Sequence, residues 1–451
     1  MRTGDFSALV ADLKSGRISA SARTDIALQR IAAENDRSRI FISVDADGAR
    51  AAARASDNRR AAGQGLGPLD GIPVAIKDNI DVAGLPTTDG TGFYRDRIRS
   101  VDAFVVARLR AAGAVITGKL NMHEGALGAT TDNPFWGRCE NPLAEGYTPG
   151  GSSGGSGAVV AAGIAPLALG SDTMGSVRIP AAYCGVWGLK PTRGLFSSRG
   201  LSHLSWTLDT IGPIATGPDG LRAAMTVMAE VDPADLLTAD IPSEWHRSPA
   251  SVVAVESCTI GVPDYAALAD CEPAVLKGFS AFLDRLGPAG VTLQPIDIAG
   301  WDPGKARRAG LLLSEAEGGA LIGADLDRGG DGFSDGFRTL IDYGRSVRGE
   351  RLASAYREIE ALRLATQAAL RHVDAILLPT APQRAFAHGT PAPVNQADFT
   401  AIANIAGCPA VAFPLPAGDG GMPISAQVVG PRWSEHRLLA IAEYLFALGS
   451  A

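Results

Sequence analysis

The sequence predicts an α/β protein with a buried, mixed or parallel sheet, and three observations predict it. Short apolar runs recur along the chain, among them Val74-Ala75-Ile76, Ala114-Val115-Ile116-Thr117 and Leu167-Ala168-Leu169. Stretches with apolar residues at helical spacing stand between them, and such alternation is the pattern of a sheet whose faces are covered by helices. Composition is the third: of 451 residues, 46% are hydrophobic and 20% charged, which excludes disordered, collagen-like and coiled-coil chains.

The elements follow in order. Phe6, Leu9, Val10 and Leu13 recur at helical spacing and Gly16 stops the helix. Ser19 or Ser21 caps a second helix containing Ile26, Leu28 and Ile31. Phe41–Val44 reads as a strand, and the Ala/Arg-rich helix after it closes at the Gly63–Gly67 turn. Residues 103–112 read as a helix ending at Gly113, and Ala158–Ala162 as another. Residues 229–255, with three prolines, Trp245 and four acidic residues between Glu230 and Asp240, read as a surface excursion. Beyond it, Thr259–Val262 and Ala375–Leu378 are strand-like, while 272–286, 350–371 and 434–448 are helical. No internal repeat and no long linker divides the chain. A helical segment, 1–65, is therefore expected to pack on one continuous domain, 66–451.

Charge and cysteine usage narrow the function classes. With 41 basic and 48 acidic residues the net charge is −7, so nothing resembles the basic footprint of a nucleic-acid binder. Five scattered cysteines, outside any CxxC spacing, speak against a disulfide framework or a zinc knuckle. Residues 1–14 carry Asp5, Asp12 and Lys14 in place of an apolar signal core, and no apolar run approaches the ~20 residues of a membrane span. The expectation is a cytoplasmic protein with reduced thiols and no membrane partner.

One string departs from ordinary composition: Gly150-Gly-Ser-Ser-Gly-Gly-Ser-Gly157. It can be a flexible linker, a structural turn, or a loop whose glycines let backbone N–H groups approach an anion or a nucleophile. Three motif tests bear on it. Gly113 to Lys119 has the skeleton of a phosphate-binding loop, but its middle is a β-branched strand and Leu120 stands where a Ser or Thr must reach magnesium. Gly151 to Gly155 fits the G-x-S-x-G elbow around Ser153, yet Tyr147–Gly150 is a poor strand to lead into it. His123-Glu124 lacks the second histidine of HExxH, so no metal is expected and His123 reads as a surface or core-edge residue. Two further segments stand out: a polar turn, Gly170–Pro180, and Lys77 at the end of a buried-looking strand, where a lysine either snorkels to solvent or is held inside at a cost.

Together these segments resemble the amidase signature family of serine hydrolases. The resemblance rests on Pro73-Val-Ala-Ile-Lys-Asp78, Gly150-Gly-Ser-Ser-Gly-Gly155 and Gly170-Ser-Asp-Thr-Met-Gly-Ser-Val-Arg-Ile-Pro180. It continues through Cys184–Pro191, Leu208–Pro213, Leu377–Thr380, Asn404–Pro409 and Gln427–Gly430, so it spans nearly the whole chain.

The resemblance implies a single α/β domain, a mixed twisted sheet with helices on both faces, hydrolysing a small-molecule amide without a cofactor. By motif position, Ser176 would be the nucleophile, Ser152, after a cis Gly151–Ser152 peptide, the bridging serine, and Lys77 the base. The backbone N–H groups of Thr173, Met174, Gly175 and Ser176 would form the oxyanion hole, with Ser153, Asp172 and Arg178 in support. Met122, Phe135 and Trp136 would line the substrate pocket. Met174 departs from the family's usual glycine, and would be strained if that backbone needs a positive φ; its side chain either packs into the core or, the favoured reading, narrows the substrate channel. The same motifs occur in the glutaminase-like component of tRNA-dependent amidotransferases and in ureido-type (allophanate- or biuret-like) hydrolases, which stay as alternatives. A homodimer is left open.

Overall fold

A computed structural model describes residues 6–247, 255–264, 268, 270–416 and 421–450. The first half runs α1 (Phe6–Ser15), α2 (Ala20–Ser38), β1 (Phe41–Val44), α3 (Ala46–Ala61), β2 (Pro73–Lys77), α4 (Phe104–Ala111) and β3 (Val115–Leu120). A small ribbon, β4 (Asp132–Asn133) with β5 (Gly137–Arg138), precedes α5 (Gly154–Ala161), β6 (Leu167–Asp172), α6 (Arg178–Tyr183), β7 (Trp187–Lys190), β8 (Thr210–Ala215) and α7 (Pro218–Met228). The second half runs β9 (Thr259–Pro263), α8 (Pro273–Leu286), β10 (Thr292–Ile296), α9 (Pro303–Arg328), α10 (Asp335–Ser346) and α11 (Gly349–Ala369). It closes with β11 (Ala375–Pro379), α12 (Ala401–Ile405), β12 (Ala410–Leu415), β13 (Ile424–Val429) and α13 (Glu435–Ser450).

Eleven strands form one sheet in the order β1-β3-β2-β6-β8-β7-β12-β13-β11-β9-β10. It is mixed: β2 lies parallel to both β3 and β6, whereas β6, β8, β7, β12, β13 and β11 alternate in direction. Every residue of β2, β3, β6, β7, β8 and β11 is buried, as strands covered on both faces require. The product is a single α/β domain with a large mixed sheet flanked by helices. The N-terminal segment joins that sheet, because β1 pairs antiparallel with β3 and makes one edge. Ser19, not Ser21, caps α2 by accepting the Ala22 N–H at 3.0 Å.

Two readings of the sequence change. The Gly/Ser string is no linker: α5 begins inside it at Gly154 and is buried from there to Val160. Its glycines permit close approach, since a Cβ on Gly155 would stand 2.5 Å from the Asn121 carbonyl oxygen. The excursion after α7 is anchored, because Trp245 is buried and donates its indole N–H to Glu435 Oε2 at 2.8 Å. Residues 248–254 of that excursion lie outside the described residues.

The topology positions three loops together. β3, β2 and β6 are neighbours and parallel, so the segments after Leu120, Lys77 and Asp172 leave the sheet at the same edge. The carboxyl ends of parallel strands are where α/β sheets place their ligand sites.

Candidate active site

Lys77 ends β2 in register just past the Ile76–Leu169 pair, so its side chain meets the end of β6. Its Nζ lies 2.7 Å from Ser152 Oγ and 2.8 Å from Ser171 Oγ, and both Lys77 and Ser152 are wholly buried. The Gly151–Ser152 peptide is cis. Burial lowers the Lys77 pKa from its ordinary 10.5 to about 7, against the opposing pull of the Asp209, Asp172 and Asp89 carboxylates. The snorkelling alternative therefore fails: this lysine is held inside, close to neutrality at neutral pH.

Ser176 sits at the open end. It is half-buried, and its hydroxyl makes no hydrogen bond with another described residue. Its carbonyl accepts the Ser153 N–H at 3.2 Å, which ties the loop after β6 to the start of α5. The Ser153 side chain is committed elsewhere, donating to the Ser171 carbonyl at 3.1 Å, and Ser153 is wholly buried. An elbow with an exposed Ser153 hydroxyl is not what the fold builds.

The loop between Asp172 and Arg178 is fixed from within. Arg178 donates through Nε and Nη2 to the two oxygens of Asp172, both at 3.0 Å, with neither side chain exposed. Its guanidinium also reaches Gln427 Oε1 at 2.8 Å and Asn404 Oδ1 at 2.6 Å. Arg178, with help from Lys190 and Asn404, holds the Asp172 carboxyl down at about 2 despite burial. Thr173 donates to Asp209 Oδ1, and Asp209 in turn accepts the backbone N–H groups of Leu204 and Ser205.

This packing corrects the expected oxyanion hole. The Gly175 N–H is already donated to Asp172 Oδ1 at 2.6 Å, so it is not free for a substrate oxygen. No side chain among the described residues engages the N–H groups of Thr173, Met174 and Ser176. The feared strain at Met174 is absent: φ is positive (+135°) at Gly175 and not at Met174. A Cβ on Gly175 would stand 2.2 Å from Thr400 Oγ1, so glycine is required there twice over. The Met174 thioether is half-buried beside Gly310 of α9, with Leu208 near, at the margin of the main core.

Of the three residues expected to line a pocket, Met122 does not. It is fully buried in an apolar cluster with Leu127, Leu204, Phe333 and Phe337. Phe135 packs its ring on Gly92, and Trp136 donates to the Thr91 carbonyl at 3.3 Å under the Arg95 guanidinium. The cleft of about 430 Å³ beside them is lined instead by His123, Glu124, Leu127, Asp132, Pro134 and the start of α10. His123 is nearer the chemistry than its sequence context suggested. Its backbone N–H donates to the Ser152 carbonyl at 3.0 Å, and burial, with a contribution from Lys77, lowers its pKa to about 4.

Five residues of the site were not singled out from sequence: Asn79, Ser171, Thr400, Asn404 and Gln427. Ser171, Asn404 and Gln427 stand inside the motif blocks, and Asn79 follows one directly. Thr400, which donates to the Met174 carbonyl, lies outside those blocks. Among the described residues no cluster of His, Cys, Asp and Glu could hold a metal, and no helix is long and apolar enough to cross a membrane.

The site thus sets a buried lysine against two serine hydroxyls, with no histidine between them. The chain belongs to the amidase family, whose model, described as Amidase, matches residues 23–439. It is an enzyme that cleaves carbon–nitrogen bonds. It is 37% identical to the A component of the glutamyl-tRNA(Gln) amidotransferase of Roseiflexus castenholzii, over 96% of this chain and 93% of that one. It is 35% identical to AtzE, a component of the 1-carboxybiuret hydrolase of Pseudomonas sp. strain ADP, over 98% of both. A solved structure described as revealing, through a vestigial protein complex, the evolutionary origins of an s-triazine catabolic enzyme superposes with a TM-score of 0.91 at 34% identity, covering 99% of each chain.

Proposed function

We propose that the chain hydrolyses a small carboxamide through an acyl-enzyme, with Ser176 as nucleophile, Ser152 as proton bridge and Lys77 as base. The observation that carries this reading is the 2.7 Å contact between a buried, near-neutral Lys77 and Ser152. A serine hydroxyl needs an adjacent base, and a lysine serves only when neutral. As Ser176 Oγ attacks the carbonyl carbon, its proton passes to Ser152 Oγ while the Ser152 proton passes to Lys77 Nζ. The oxygen that gains charge is met by the N–H groups of Thr173, Met174 and Ser176. Lys77 then returns a proton through Ser152 to the leaving nitrogen, the C–N bond breaks, and ammonia or an amine departs. Water attacks the Ser176 ester along the same relay and releases the acid. Asp172 and Arg178 shape the loop and stay out of contact with the substrate.

A ureido-type substrate is the second reading, favoured by the end-to-end match with the carboxybiuret hydrolase component. Both relatives are parts of multi-component enzymes by name, so action within a larger assembly is part of the test. The purified chain is given a panel of aliphatic, aryl and ureido amides with ammonia detection. Ammonia from simple carboxamides by the chain alone supports the first reading, and release restricted to ureido compounds supports the second. No release from any amide contradicts a self-sufficient hydrolase.

A further inference from the structure

Beside Lys77 lies a small cavity lined by Asn79, Asp89, Tyr94, Ala126, Ser202 and His203 among others, with about 20 Å³ of free volume. Two of its lining residues, Asn79 and Asp89, each carry a buried side-chain oxygen, Oδ1, with no hydrogen-bond partner among the described residues. Leaving a buried acceptor unmet is costly. The backbone around it is unusual as well, because Asp89 (φ 55°) and Ala126 (φ 60°) hold left-handed conformations. Such conformations in residues other than glycine concentrate at functional sites.

Asn79 connects this cavity to the base. Its Nδ2 donates to Ser171 Oγ at 3.0 Å and to the Ser202 carbonyl at 3.4 Å. A carbonyl only accepts, so the amide orientation is fixed, with the nitrogen toward Ser171 and Ser202 and the oxygen on the other side of the amide. Ser171 Oγ is the second partner of Lys77 Nζ.

We propose that Asn79 is a positioning residue for Lys77, and that a single water bridging Asn79 Oδ1 and Asp89 Oδ1 holds it in place. Volume and chemistry fit that ligand. A water needs ~10–15 Å³ of such free volume and two or more polar partners, and two unmet acceptors on residues lining one small cavity suit its two hydrogens. By filling one acceptor site of Ser171, Asn79 leaves the other to the Lys77 amine. The amine then donates to Ser171 and keeps its lone pair for Ser152. The inference rests on Lys77 being the base.

The charged groups acting on Lys77 set the sign of the test. Asp209, Asp172 and Asp89 favour its ammonium, whereas His123, across the Ser152 loop, is held neutral by burial, with its pKa lowered to about 4, and adds no charge near neutral pH. Arg97 pairs with Asp89 Oδ2 at 2.7 Å and stacks on Tyr94, so removing the carboxylate also exposes Lys77 to an unpaired cation. Asn79→Asp places a new carboxylate against Ser171, whereas Asp89→Asn removes one and suits a left-handed residue.

The experiment is the pH dependence of kcat/KM for both variants, with Lys77→Met in parallel and a crystal structure of the parent protein resolving solvent. The acid limb is expected to move up by about one pH unit in Asn79→Asp and down by a comparable step in Asp89→Asn, with KM little changed. A merely structural role lowers rate or stability without opposite shifts. If Asn79→Asp is too slow to profile, Asp89→Asn alone decides. An active Lys77→Met sinks the base assignment itself. An inactive one, with the limb unmoved in the variants, sinks only the positioning role. A solvent peak within hydrogen-bond distance of both oxygens supports the bridge, and a dry cavity overturns it.

Discussion

Lys77 Nζ lies 2.7 Å from Ser152 Oγ, inside the sheet edge, with neither residue reached by solvent. The pKa of about 7 that burial gives Lys77 fixes the pH profile. The neutral amine is present above that value and lost below it, so kcat/KM should fall about tenfold per pH unit on the acid side. Lys77→Met should remove this limb and lower the rate by ~10²–10⁴-fold, the usual worth of a general base. Steady-state rates on a simple amide between pH 5 and 9 check both.

The same burial has a cost in stability. An unfolded lysine keeps its proton to about 10.5, whereas the folded one releases it near 7. The unfolded state thus binds more protons between these values, so stability should rise with pH across that window. Below about 7 the penalty is complete. Lys77→Met should therefore raise stability by ~1–3 kcal/mol near pH 6–7, with the gain shrinking toward pH 10. Thermal unfolding of parent and variant at several pH values measures it.

Asp172 and Arg178 form a buried pair that also holds the Gly175 N–H. Asp172→Asn would leave the guanidinium uncompensated, at ~3–5 kcal/mol. The loop carrying Ser176 would lose its anchor at the same time. Melting temperature and kcat should both drop, whereas Gln427→Ala, which removes one neutral acceptor, should cost less in each. The depressed Asp172 pKa makes this contribution fully present above the ordinary 3.8, and it is lost only as pH falls through about 2.

Met174 and Gly310 are coupled by contact. A Cβ on Gly310 would stand 2.6 Å from the Met174 sulfur, so Gly310→Ala must displace that flexible thioether. Gly310→Ala should lower kcat/KM more for a bulky than for a small amide. Adding Met174→Gly should restore the ratio. A double-mutant cycle with both substrates reads the coupling, expected at ~0.5–3 kcal/mol for residues in contact.

How much of this was legible in the sequence depends on the kind of residue. Strands such as Val74–Ile76 and Leu167–Leu169 were readable because a wholly buried strand is an apolar run. Helix α9 was not, because glycines at 310, 318, 319 and 323 weaken the helical pattern. They are there for contact, Gly318 against Leu204 and Ile341 and Gly319 against Arg345. Lys77, Ser152 and Ser176 were placed by motif alone; composition and spacing left snorkelling and the Ser153 elbow open. Met122 was misjudged because a side chain beside a site loop can point to either face, and here it points into the core. Ser171 and Asn79 bond across the fold, over separations no local pattern encodes.

If Ser176 forms the covalent bond to the acyl group, a serine-directed phosphonate or sulfonyl fluoride must react there. Mass mapping of the inactivated protein should find one label per chain, on Ser176. Ser176→Ala should stay folded, take no label and lose turnover. A label on Ser153 or Ser152, with Ser176→Ala still turning over amide, would contradict the account.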